Sequence, residues 1–80
     1  MQNINVRRLK NKDEFHVFAD IHGKKTLIGY ILFWFEQDSG WLYRGQVHTD
    51  GNIYSQISYT CEKAVQNVER MYREKVFHVI

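Results

Sequence analysis

Residues Leu27–Phe35 read L-I-G-Y-I-L-F-W-F, a run with no charge in it. A short run rich in β-branched and aromatic residues is a strand that is apolar on both faces. It is too short for a membrane-spanning helix, which needs roughly 20 apolar residues. The only strong helical period comes near the C-terminus, and one helix covers one face of a sheet. The other face, with Ile28, Tyr30, Leu32 and Trp34, is left for a partner.

The period is two up to about Tyr59. Ile4 and Val6 allow a short first strand. Phe15, Val17, Ala19 and Ile21 alternate with His16, Phe18, Asp20 and His22. A turn at Gly23-Lys24-Lys25 precedes Leu27–Phe35, and Asp38-Ser39-Gly40 ends it. Trp41, Tyr43 and Val47 alternate with Leu42, Arg44, Gln46 and His48. Thr49-Asp50-Gly51 fits a three-residue hairpin loop, after which Ile53, Ile57 and Tyr59 alternate with Tyr54, Gln56 and Ser58. Thr60 suits an N-cap and Glu62 the positive end of a helix dipole. Cys61, Ala64, Val65, Val68, Met71, Tyr72 and Val76 then share one helical face, opposite Lys63, Gln66, Asn67, Arg70 and Arg73. Phe77–Ile80 either extends the helix or forms a short extended end.

The expected fold is α+β: an antiparallel β-meander of four strands, or five with Ile4 and Val6, and one C-terminal α-helix packed on one face. Eighty residues make a single domain, 1–80. A loop at 36–40 pairs Phe35 with Trp41 and Ile31 with Gly45; a two-residue loop at 38–39 is the competing register. A loop at 49–51 pairs Val47 with Ile53 and Tyr43 with Ile57. Odd residues then face the helix, where Ala19, Gly29, Gly45 and Ser55 let it approach. The even face carries His16, Phe18, Ile28, Tyr30, Leu32, Trp34, Leu42, Arg44, Gln46, His48, Tyr54 and Gln56. In a competing arrangement Ile4, Val6 and Leu9 fold over that face as a lid.

A chain this small buries a modest share of its surface, and such scaffolds commonly add disulfides, a metal or a second chain. Cys61 is the single cysteine, so no disulfide forms within one chain. Self-association through the even face is therefore expected. The lone cysteine and the polar start M-Q-N-I-N-V-R-R, which lacks a secretory hydrophobic segment, point to the cytoplasm.

No catalytic or cofactor motif is legible. Cys61 near a helix N-terminus has the setting of a lowered thiol pKa, but no histidine is placed as its base and it also fits the apolar helix face. His16, His22, His48 and His78 show no zinc spacing. The glycines are isolated, so no phosphate loop forms. The chain reads as a non-enzyme that needs no cofactor or metal.

Two function classes fit. The first is a protein-interaction module, a small regulator or inhibitor of the kind phages encode, docking through Phe18, Tyr30, Leu32, Trp34, Leu42, Arg44 and Tyr54. These are the residue types of binding hot spots, on a patch larger than monomers usually expose. The second is a nucleic-acid-binding domain whose sheet aromatics stack bases. Phosphates would then meet Arg7, Arg8, Lys10, Lys12, Lys24, Lys25 and Arg44, although the net charge is only +2. Trp41–Tyr72 resembles the hairpin-plus-helix of AP2-type and phage-integrase arm-binding domains in Trp41, Asp50-Gly51, Thr60 and Ala64. That resemblance implies DNA binding by the strands. The chain departs from it in having only Arg44 as a basic residue in its last two strands.

Overall fold

The computed structural model describes residues 2–76. Five strands come first: β1 (Gln2–Arg8), β2 (Glu14–Ile21), β3 (Lys24–Glu36), β4 (Gly40–Thr49) and β5 (Asn52–Ser58). Helix α1 (Cys61–Lys75) follows. The strands form one antiparallel sheet in the order β1-β2-β3-β4-β5. This is the expected α+β meander with a C-terminal helix. Residues 2–8 are its fifth strand, added beyond β2 at the sheet edge, and they do not form a lid over the even face. The tail 77–80 lies outside the described residues.

Local chemistry explains each turn. His22-Gly23 and Asp50-Gly51 both join their strands with positive φ at both positions, 53° and 77° in the first, 52° and 77° in the second. That is the backbone of the two-residue hairpin whose twist matches the flanking strands, and Asp-Gly is among its preferred pairs. Thr60 caps α1: its Oγ1 accepts the backbone N–H of Lys63 at 3.1 Å.

The core lies between sheet and helix. Val17, Ile31, Val47 and Val68 are fully buried, each worth roughly 1.5–3 kcal/mol of burial. Gly29 and Gly45 bring the helix down onto β3 and β4. A Cβ on Gly29 would lie 2.5 Å from Val68 Cγ1 and 2.6 Å from the carbonyl oxygen of Gln46. A Cβ on Gly45 would lie 2.9 Å from Val68 Cγ2 and 3.0 Å from the carbonyl oxygen of Ala64. The buried residues of α1 are Ala64, Asn67, Val68 and Met71. Asn67 is thus inside, against its expected place on the exposed face.

Two features change the expected faces. The β2–β3 register slips between Val17↔Gly29 and Phe18↔Leu27, a bulge at Ile28-Gly29 that turns Ile28 into the helix-side core and Leu27 to the far face. The Asp50-Gly51 turn spans two residues, not three, so Val47 faces Tyr54 and His48 faces Ile53. Every β5 side chain is therefore reversed from expectation. Tyr54, Gln56 and Ser58 lie on the helix side, and Ile53, Ser55 and Ile57 on the far face. The β3–β4 register is the expected one, with Phe35↔Trp41 and Ile31↔Gly45.

Candidate functional site

Helix α1 is the only helix among the described residues and it packs on one side of the sheet, against β3, β4 and β5. The far face carries no second layer among the described residues. Its centre is a row of side chains set by strand register. Arg7, His16, Tyr30, Gln46 and Ser55 stand opposite one another across the five strands. The next row is Glu14, Leu32, Arg44 and Ile57, and Trp34 faces Leu42 beyond it.

Rings and cations knit these rows together. His16 meets Tyr30 edge-on at 5.1 Å between centroids, His16 meets Phe18 at 6.3 Å, and Tyr30 meets His48 at 5.0 Å. Arg44 lies over the Trp34 ring at 5.2 Å and Lys25 over the Phe18 ring at 4.9 Å. Such contacts are worth about 0.5–1 kcal/mol each at exposed sites. Acids lie alongside. The Trp34 indole N–H donates to Glu36 at 3.2 Å, Asn3 donates to Asp20 at 2.7 Å, and His16 Nε2 lies 3.2 Å from the Glu14 carboxylate. Phe18, Tyr30, Leu32, Trp34 and Arg44 are half-buried by these neighbours, and Leu42 is buried.

Six of the seven candidate docking residues thus share one face: Phe18, Tyr30, Leu32, Trp34, Leu42 and Arg44. Tyr54 does not. It lies on the helix side, half-buried against the core, with the Lys75 ammonium 5.0 Å from its ring centre. In its place the far face gains Ile53 and Ile57, 62% and 50% exposed, and Leu27. Asp50-Gly51, as a preferred two-residue turn pair, is the signal that could have located the two isoleucines.

The basic candidates divide between the faces. Arg7, Lys25 and Arg44 stand on the far face. Arg8 lies on the helix side over the Phe33 ring at 5.2 Å and 3.7 Å from Asp13. Lys24 pairs with Ile21 on that side too, and Lys10 and Lys12 sit between β1 and β2. A cleft of about 360 Å³ borders the far-face row, lined by Arg7, Arg8, Leu9, Lys10, His16 and Phe18.

A second aromatic group was not anticipated as a surface. A strand of β3's 13 residues runs about 43 Å at ~3.3 Å per residue, whereas α1's 15 residues run about 22 Å. The helix therefore stops short of the β3–β4 tip. Phe33 there packs on Phe15, Trp41 and Tyr43 at 5.1, 5.9 and 6.0 Å, and Phe35 and Trp41 remain 59% and 50% exposed. Cys61 borders this cluster, and burial, with Glu62 adding to it, pushes its thiol pKa up. That is the opposite of what an activated nucleophile needs.

Among the described residues no three His, Cys, Asp or Glu side chains converge to hold a metal ion, and no helix is long and apolar enough to cross a membrane. No protein-family model, curated protein or solved structure matches this chain.

Proposed function

We infer that the chain is a protein-interaction module of the regulator or inhibitor type that docks its target on the far face of the sheet. The observation that carries this reading is the single helix layer, which leaves Phe18, Tyr30, Leu32 and Trp34 in one patch with Ile53 and Ile57 beside it. Tyr and Trp give large contact area at little entropy cost, and Arg44 already lies over the Trp34 ring. Nucleic-acid binding has support from the same rings and from Arg7, Lys25 and Arg44. The face is electrically balanced, however, since Glu14, Asp20 and Glu36 stand among those three cations. A phosphate backbone favours a face with a clear excess of positive charge.

The test is retention of cellular proteins on the immobilised chain at rising salt, with Trp34→Ala and Tyr30→Ala beside the parent. The expected result is one or a few proteins held at high salt by the parent and lost by both variants, whose circular dichroism is unchanged. Retention of nucleic acid that fades steeply with salt would replace this reading with the second one.

A further inference from the structure

Among the described residues β1 and β5 are the two edge strands of the sheet, and they are built differently. On β1 a register shift between Gln2 and Asn5, with Asn3 at φ 53°, disrupts the ladder, and Arg7 and Arg8 add charge. Bulges and charges are the usual means by which an edge resists pairing with another chain. β5 has neither. Its sequence N-I-Y-S-Q-I-S holds no charge and no proline, and its pairing with β4 runs without a slip.

The turn fixes which backbone groups β5 offers. A two-residue hairpin makes Thr49 and Asn52 a hydrogen-bonded pair, so Tyr54, Gln56 and Ser58 also bond to β4. The N–H and C=O groups of Ile53, Ser55 and Ile57 then point away from the sheet.

We propose that β5 pairs antiparallel with β5 of a second copy of this chain, about a two-fold axis through Ser55. In that register Ile53 stands opposite the partner's Ile57, Ser55 opposite the partner's Ser55, and Tyr54 opposite the partner's Gln56. All three outward residues find outward residues, giving about six hydrogen bonds at two per bonded pair. On the far face each exposed isoleucine covers the other copy's. Moving the axis to Tyr54 or to Gln56 sets an isoleucine against a serine, so the strand prefers one register. The occupant is a second copy because the strand complements itself under two-fold symmetry and none of its own residues is charged, the cations beside it, Arg70 on Gln56 and Lys75 over Tyr54, lying on the helix side. The resulting ten-stranded sheet sets both far faces on one side. This pairing uses the strand edge, and of the docking face it engages only the border residues Ile53 and Ile57, leaving Phe18, Tyr30, Leu32 and Trp34 open.

The experiment is molar mass by light scattering over a concentration series at low and high salt, on the parent, Ile57→Lys and Trp34→Ala, with circular dichroism on each. The expected result is twice the chain's 9.7 kDa for the parent and for Trp34→Ala, independent of salt, and half that mass for Ile57→Lys. A gain of signal supplements the loss. Ser55→Cys in a Cys61→Ser background should oxidise to a covalent dimer, because bonded-pair Cα atoms about 5.5 Å apart lie within disulfide range. A parent that stays monomeric throughout overturns the proposal. So does a dimer that survives Ile57→Lys, resists cross-linking at residue 55 or is lost in Trp34→Ala.

Discussion

The two faces of this sheet are held by different physics. The helix face closes through the absence of side chains: Gly29 and Gly45 give up their Cβ positions so that Val68 can sit against the strand backbones. The far face is held by side chains lying on one another, rings on rings and cations on rings, with no second layer above them among the described residues. Close packing tolerates almost no added volume, whereas a surface array gives way side chain by side chain. Stability therefore concentrates on one face, and the other is free to vary with a target.

Substitutions should separate the faces by size of effect. Gly29→Ala is expected to be the most damaging, lowering stability by about 3 kcal/mol in urea titration, because its methyl meets Val68 at 2.5 Å and the Gln46 carbonyl oxygen at 2.6 Å, both closer than the matching contacts at Gly45. Gly45→Ala should cost less. Combining it with Val68→Ala should recover about 1 kcal/mol relative to the sum of the two, since the truncated side chain no longer opposes the new methyl. Strict additivity would mean that Val68 is not what holds Gly45 small. Gly51→Ala should cost about 1–2 kcal/mol through its positive φ alone, seen as a lower melting temperature with the helix signal intact. On the far face Arg44→Ala should cost only about 0.5–1 kcal/mol, the worth of its contact with Trp34. Smallest in stability terms is the Cys61 thiol, whose raised pKa should make alkylation at neutral pH slower than that of an unstructured cysteine.

The sequence carried the architecture further than the surface. Alternation and the Thr60 cap located the strands and the helix, and facing side chains gave the β3–β4 register, because each leaves a periodic trace in residue type. The bulge at Ile28-Gly29 leaves only an isolated glycine inside a strand, a mark that close helix approach also explains and that Gly45 shares without a bulge. One residue of turn length reversed β5, exchanging Tyr54 for Ile53 and Ile57 on the docking face. Asn67 was misplaced because its polarity argues for solvent. Its side-chain N and O are buried with no hydrogen-bond partner among the described residues. The exposed tip at Phe35 and Trp41 follows from the unequal lengths of helix and strand. The sequence supplies both lengths, but not how far along the sheet the helix starts.

The chain's two tryptophans report on the two sides separately, Trp34 on the far face and Trp41 at the uncovered tip of the helix side. The most direct measurement is therefore the pair of indole N–H resonances of the labelled chain during titration with the protein it retains at high salt. The far-face reading expects the Trp34 signal to shift or broaden while the Trp41 signal holds its position. Movement of Trp41 with Trp34 unchanged would place the docking site at the β3–β4 tip and contradict it.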